Sequence, residues 1–442
     1  MVEEYNLDDA LFFPDKTYDK LIDGYYIIVA PEYPNWLVLN KNEYRMFCWL
    51  REGLSIRSTL ENFYAKFCEN EKICLDIMTG LLKQIHDVEF SGEAVILLEE
   101  PIESIPKKIH IATTNGCNMR CGHCYMSAGM SPVETIDIQK TIQLVKELNQ
   151  IYGKLDVVVS GGEPLTYKHL EELLKSIKDN DVILFTNGTL ISEENIDMIA
   201  ECCNEVQVSF EGVSSEVYSQ VRGSDNYDKV CHALELLKDR GVRIVLAVTV
   251  LPNTLMDIQK NLISFIEKMN YNNLEVRLSD EIEMAGNALT MDMSLYKKEE
   301  SSETVIGLIH KLERMGCVVQ KNDIRNTRFT NCGIGTNVVI NYDGKIYPCH
   351  KLSSYAFDIG TKSSKIIDEF NKVNCLTSNR NIKKCQICEL QYICSGGCRI
   401  DNYLKTGDMN TVFCDETFKE EQYRRLLSDY KMYRRDVEDS GE

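Results

Sequence analysis

From residue 108 to residue 278, short apolar runs alternate with longer stretches in which hydrophobic residues recur every three or four positions. The runs Lys108-Thr113, Leu155-Ser160, Val182-Thr186, Glu205-Ser209, Arg243-Val250 and Leu274-Leu278 read as strands. Each closes on polar or glycine-rich residues where a loop begins. Between the first two, Ile138, Ile142, Val145 and Leu148 share one face of a predicted crossover helix. Such alternation builds a parallel sheet, because a parallel neighbour is reached only by a long crossover. Six units predict an α/β fold, an open partial (β/α)6 TIM barrel, with functional residues at the C-terminal ends of its strands.

The first hundred residues have another texture. Gly24-Ala30 and Trp36-Leu39 read as paired strands around Pro31-Glu32-Tyr33-Pro34-Asn35, and Asn42-Arg51, Ile56-Phe67 and Lys72-Ile85 as amphipathic helices. Beyond residue 310 the pattern gives way to spaced cysteines. We therefore expect three domains, at 1-100, 101-310 and 311-442.

At 442 residues, with 44% hydrophobic and 26% charged residues, the chain has an ordinary globular composition and room for two or three cores. The first thirty residues lack a basic stretch followed by an apolar core, and no apolar run reaches transmembrane length. A cytoplasmic protein with no membrane partner is expected. A net charge of -19 argues against a phosphate-binding surface, so no nucleic-acid partner is expected either. The 18 cysteines are clustered, and in a reducing cytosol clustered thiols are better explained by metal or cluster ligation than by disulfides.

The chemistry concentrates in TTNGCNMRCGHCYMSAG, directly after the first barrel strand. Cys117, Cys121 and Cys124 supply three thiolates, enough for three irons of a 4Fe-4S cube, leaving the fourth iron for a ligand that is not protein. A zinc knuckle is the alternative, and it would take a fourth ligand. The C-x3-C-x2-C spacing, with His123 before the last cysteine and Tyr125 after it, resembles the signature of the radical S-adenosylmethionine (SAM) enzymes. The resemblance implies that the open iron chelates the amino and carboxylate groups of SAM. It also implies that an electron, from a donor such as a flavodoxin or ferredoxin, releases a 5'-deoxyadenosyl radical.

Further residues at strand ends fit the same family. Gly161-Gly162-Glu163-Pro164 looks like its GGEP motif: two glycines admit a close ligand, and a carboxylate can accept from the SAM ammonium group. Asn187, in Thr186-Asn187-Gly188, and Ser209, in Ser209-Phe210-Glu211-Gly212, resemble the residues that hold the ribose and line the substrate side. Arg222 resembles the arginine that pairs with the SAM carboxylate, a contact suited to a guanidinium, and Asn253 is placed near the adenosine. For each taken singly, a helix cap or a solvated loop residue is the alternative.

The C-terminal cysteines are ordered as Cys332, Cys349 in Gly344-Lys345-Ile346-Tyr347-Pro348-Cys349, then Cys385, Cys388, Cys394 and Cys398 with C-x2-C-x5-C-x3-C spacing, and Cys414. This arrangement resembles the SPASM domain of radical SAM peptide-modifying enzymes, with a pair of zinc ribbons as the alternative. The resemblance implies two auxiliary 4Fe-4S clusters, three clusters in all. Cys385, Cys388, Cys394 and Cys414 would hold the distal one, and Cys332, Cys349 and Cys398 the proximal one. Sulfatase-maturing members supply a further cysteine beside the first, and none lies between Cys332 and Cys349 here, so the resemblance leaves one proximal iron to a substrate thiolate or, equally, to water or another side chain. Sulfatase-maturing members of the family carry an Asp where this chain has His350, which argues against formylglycine formation. His350 and Glu211 are the candidate catalytic bases, a structural role being the alternative for both. Cys48, Cys68, Cys74, Cys202, Cys203, Cys231, Cys317 and Cys375 fit no ligand spacing and read mostly as small buried hydrophobes.

Short strands followed by three helices also resemble the RiPP recognition element, a winged-helix-like domain that adds a leader peptide to an open sheet edge. A capping or dimerisation domain is the alternative for these residues. The whole reads as a maturase of a ribosomal precursor peptide that joins a Cys sulfur to carbon in a thioether. Carbon-carbon or carbon-oxygen crosslinking and alpha-carbon epimerisation are alternatives within the class. A non-catalytic peptide scaffold is the alternative outside it.

Overall fold

The computed structural model describes all residues except 1–4, 68–69, 92–97, 100–107, 130–131, 224–225, 281, 283–284, 295–297, 319–324, 352–355 and 439–442. Its chain folds into two compact units. One comprises Glu103–Lys321 with Gly333–Asn374, the other Met1–Ile102 with Asn322–Cys332 and Cys375–Glu442. The three-way division expected by chain order is thus not the division by compactness, since the N-terminal residues and most of the cysteine-rich tail share a unit.

In the first unit the expected strands form at Lys108–Ala112, Asp156–Ser160, Asp181–Thr186, Glu205–Ser209, Arg243–Thr249 and Leu274–Ser279, each parallel to the next. Helices such as Ile138–Tyr152 cross between them. The alternating side chains sort by face. Ile109, Ile111, Val157, Val159, Val182, Leu184, Val206, Val208, Ile244 and Leu246 are buried in the core shared with the helices. Of the opposite phase, His110, Ser160, Phe185, Gln207 and Arg277 are polar or only partly buried, while Val158 and Val245 are buried. One addition is non-local: Asn337–Ile340 pairs in parallel with Lys108–Ala112, and Lys345–Tyr347 pairs antiparallel with Asn337–Ile340. The sheet therefore continues past its first strand.

In the second unit Tyr18–Ile22, Tyr25–Ala30 and Asn35–Leu39 make a three-stranded antiparallel sheet. Asp23 and Gly24, both at positive φ, form the tight turn that returns the first strand on the second. Both faces of this sheet are covered. Ile28, Ala30, Leu37 and Leu39 pack with residues of the helices Lys41–Arg51, Ile56–Phe67 and Glu71–Asp87, while Ile27, Val29, Trp36 and Val38 pack with Leu390, Tyr423, Leu426 and Leu427. Two-sided burial is why YYIIVA and NWLVL are nearly continuous apolar runs. At roughly 1.5–3 kcal/mol for each large buried side chain, this packing carries more of the unit's stability than any surface ion pair. Asn40 starts the first helix with a capping box, accepting from the Glu43 N–H while Glu43 accepts from the Asn40 N–H.

Candidate active site

The loop carrying Cys117, Cys121 and Cys124 leaves the C-terminal end of the strand Lys108–Ala112 and is held from several sides. The Gly161-Gly162 turn at the next strand's end lies against it, with Gly162 N–H donating to Thr114 O at 2.7 Å and Glu163 N–H to Gly116 O at 2.8 Å. A Cβ on Gly162 would meet the Gly116 carbonyl oxygen at 2.2 Å, so only glycine admits this approach. On another side Asn287 donates its N–H to Cys124 O and its side-chain amide to Cys121 O. Gly286 sits as tightly, since a Cβ there would fall 2.4 Å from Tyr125 O.

Each of the three sulfurs receives N–H donors. Cys117 Sγ accepts from Met119 N–H at 3.4 Å, Cys124 Sγ from Ala128 N–H at 3.5 Å and Cys121 Sγ from Arg222 Nη1 at 3.6 Å. Burial pushes the Cys117 and Cys121 thiols up, so their thiolates need a positive partner to persist. Donors aimed at three soft sulfurs on one loop fit a ligated iron-sulfur cluster.

Glu163 is fully buried, and its carboxylate accepts from Thr186 Oγ1 and Asn187 N–H, both at 2.7 Å, and from Leu165 N–H at 3.1 Å. It thereby fixes the start of the turn at Pro164 and the end of the third strand. Asn187 in turn donates to Asn118 Oδ1 at 2.9 Å, and Asn118 to Thr189 Oγ1 at 2.8 Å. The ammonium contact expected for Glu163 would come on top of three contacts within the chain.

Glu211 and Arg222 form a buried ion pair, and His123 Nε2 lies 3.7 Å from the other Glu211 oxygen. Burial alone would raise the Glu211 carboxyl, but the Arg222 charge and His123 outweigh it and hold it at about 2. The Glu211 carboxylate thus meets Arg222 with one oxygen and His123 with the other, a position from which it aims both. Among the buried donor and acceptor atoms here, His123 Nδ1 and Arg222 Nε have no hydrogen-bond partner among the described residues, nor does Glu211 Oε2 beyond its ion pair. That leaves capacity for a polar ligand.

Of the other expected residues, Ser209 ends its strand, Asn253 lies in the turn between Leu251 and Thr254, and Tyr125 is about half exposed. His350 is exposed beside Cys349, just past the strand Lys345–Tyr347. Cys385, Cys388, Cys394, Cys398 and Cys414 lie in the other unit, as does Cys332. Several supporting residues escaped the motif reading. Asp257 accepts from Val213 and Ser214 N–H and so fixes the turn after Glu211, yet in sequence it is one acidic residue in a helix's first turn. His110 Nε2 lies 2.5 Å from Ser160 Oγ, directly before the glycine pair. Burial, helped by His350 and Lys108, lowers the His110 imidazole to about 4.

Residues 111–265 match the Radical SAM superfamily. The barrel is a radical SAM domain. Such a domain uses SAM and a 4Fe-4S cluster, as its cysteine triplet requires. The chain is 23% identical over 335 residues to the antilisterial bacteriocin subtilosin biosynthesis protein AlbA of Bacillus subtilis (strain 168), covering 71% of this chain and 72% of the relative. It is 26% identical over 329 residues to the AdoMet-dependent heme synthase of Methanosarcina barkeri (strain Fusaro / DSM 804), covering 69% and 94%. The sporulation killing factor maturation protein SkfB of Bacillus subtilis (strain 168) matches over 165 residues at 25% identity, 35% of this chain and 40% of the relative. Among solved structures, Streptococcus suis SuiB bound to S-adenosylmethionine is similar with a TM-score of 0.57 at 14% identity, covering 92% of this chain and all of that one. The structure of anSMEcpe with bound AdoMet reaches 0.54 at 21% identity, covering 74% and 99%. These likenesses extend the shared fold beyond the radical SAM domain.

Proposed function

We propose that this radical SAM enzyme modifies a ribosomally made precursor peptide and forms thioether bonds between a peptide Cys sulfur and a peptide carbon. The observation that carries the reading is the strand-end assembly of the Cys117, Cys121 and Cys124 loop on the glycine pair Gly161-Gly162, with N–H donors on all three sulfurs. Support for a peptide substrate comes from the relatives named for subtilosin biosynthesis and sporulation killing factor maturation. The fold is also similar to that of SuiB bound to its precursor peptide SuiA, with a TM-score of 0.55 at 13% identity.

When bound, SAM and the cluster supply a 5'-deoxyadenosyl radical that removes a hydrogen atom from the substrate. The chain's own residues bind and orient. Cys117, Cys121 and Cys124 hold the cluster, Gly161 and Gly162 admit SAM closely, and Glu163 fixes the ends of two strands around it. Arg222, aimed by Glu211, offers a cation for the SAM carboxylate, while Asn187, Ser209 and Asn253 line the adenosine side. Cys385, Cys388, Cys394 and Cys414 would hold one auxiliary 4Fe-4S cluster, and Cys332, Cys349 and Cys398 another. The SPASM assignment rests on that cysteine order. The three-stranded sheet with its three helices is read as the winged-helix-like leader-binding module. Keeping the leader bound would raise the local concentration of the reacting segment.

Mass spectrometry of a precursor peptide encoded beside the gene, after anaerobic co-expression and thiol alkylation, tests this. Loss of hydrogen pairs with cysteines that no longer alkylate is expected. The same loss with every thiol still reactive would replace the thioether by a carbon-carbon or carbon-oxygen crosslink. The Cys121→Ala variant should cleave no SAM, and peptide modification by it would overturn the radical reading.

A further inference from the structure

Arg399 follows Cys398 and is fully buried. Its guanidinium donates to three carbonyl oxygens, Thr377 O through Nε, Gly397 O through Nη1 and Ser395 O through Nη2, each at 2.6 Å. Among the described residues no carboxylate lies within ion-pair distance of it. A buried cation with only neutral acceptors is costly, and proteins hold such groups by pairing them. Sulfurs lie beside it instead: Cys398 is its chain neighbour, and Cys385 Sγ flanks the same Gly396 position as the Arg399 guanidinium.

The surroundings are built to that end. Gly396, at positive φ, leaves room where a Cβ would sit 3.1 Å from Arg399 Nη1 and 3.2 Å from Cys385 Sγ. Cys394 and Cys398 flank this Ser395-Gly396-Gly397 turn in the chain. Thr377, whose carbonyl takes one Arg399 bond, accepts at its hydroxyl from Asn331, and Asn331 accepts from Cys332 N–H. The guanidinium thus ties the 395–399 segment to Thr377, and the Thr377 hydroxyl carries the connection on to Asn331 and Cys332. The buried Cys385 sulfur beside a buried cation that lacks a carboxylate fits ligation as a thiolate.

We propose that Arg399 is the internal counter-charge beside Cys385, a positioning residue that stabilises the ligated thiolates there and raises the reduction potential of the auxiliary cluster that Cys385 helps to hold. This inference rests on the auxiliary-cluster reading given above. The electrostatic reason is direct: reduction adds negative charge, and a nearby buried cation favours the more negative state.

The test uses the full chain with Cys117, Cys121 and Cys124 all replaced by Ala, which leaves only auxiliary iron-sulfur signals. Iron and sulfide content and an EPR-monitored redox titration are compared with and without Arg399→Met and Arg399→Lys. Arg399→Met is expected to shift the midpoint to more negative potential. Arg399→Lys keeps the charge but not the three-carbonyl geometry, and should lower cluster content while holding the midpoint near the parent's. Equal midpoints in parent and Arg399→Met, or equal shifts in both variants, would overturn the proposal. A parent without any iron-sulfur signal would instead remove the auxiliary-cluster reading itself. Should Arg399→Met fail to fold, hydrogen exchange on the unsubstituted chain decides. Iron removal should expose the amides of 375–399 more than those of 41–51, and unchanged protection there would count against Arg399 as counter-charge.

Discussion

Arg222 in the barrel and Arg399 in the other unit are both buried beside cysteines, yet only Arg222 has a carboxylate. Glu211 neutralises it inside the fold, and His123 and Cys121 complete the group. Arg399 has three carbonyl oxygens and a set of sulfurs. The difference separates two ways of preparing a cluster site. In the barrel the charge balance exists before any cofactor binds, which suits a site that must admit and release a charged ligand at each turnover. In the other unit, on the auxiliary-cluster proposal, the balance would be completed by the thiolates, which would suit a permanent centre whose assembly is part of folding.

Glu211→Gln should give the largest effect, because it turns Arg222 into a second unpaired buried cation. A loss of about 3–5 kcal/mol in denaturant unfolding is expected. The pH dependence has a definite sign. Glu211 is held at about 2 against an ordinary 4.5, so its contribution is complete above about pH 4.5 and is lost as pH falls towards 2. The gap between parent and variant should therefore close over that interval. A gap independent of pH would break the comparison by showing that packing, not charge, holds Arg222.

Glu163→Gln should cost less, about 1–3 kcal/mol, since one of three buried donors must then face an amide NH2. SAM binding measured by calorimetry should weaken with it, because Thr186 and Asn187 lose their anchor. Unchanged SAM affinity would restrict Glu163 to a structural role.

The His110→Gln variant probes the barrel's other buried titratable group. The folded imidazole titrates near 4 against 6.5 when free, so below pH 6.5 the unfolded chain gains a proton that the folded chain refuses. Stability of the parent should fall between pH 6.5 and 4 more steeply than that of the variant, with little difference at pH 8. Asn40→Ala should have the smallest effect, about 1 kcal/mol from the lost capping box.

The six barrel strands were legible because each buries one face under helices, and burial leaves a periodic trace in the residues. The helix starting at Ile138 was legible for the same reason. Tyr18–Ile22 was harder to see: YDKLI is half exposed, and only the Asp23-Gly24 turn marks it as a hairpin arm. Asn337–Ile340 joins the sheet more than two hundred residues after its partner Lys108–Ala112, a pairing that no local pattern encodes. At the site, the cysteine triplet and the glycine pair stood out because cluster ligation and close backbone approach tolerate few residue types. Asp257, Asn118 and Asn287 did not, because a carboxylate or amide that serves one distant backbone group looks in sequence like any surface residue.

The sequence by itself determined the parallel sheet, the strand-end placement of the cysteine loop and the order of the C-terminal cysteines. These follow from periodicity and spacing, which are properties of neighbouring residues. Only the tertiary structure decided that Glu163 anchors two strand ends, that Glu211 is the ion-pair partner of Arg222, and that Arg399 has sulfurs where Arg222 has a carboxylate. Those assignments depend on which distant groups share a buried, low-dielectric space, and that is settled only when the chain has folded.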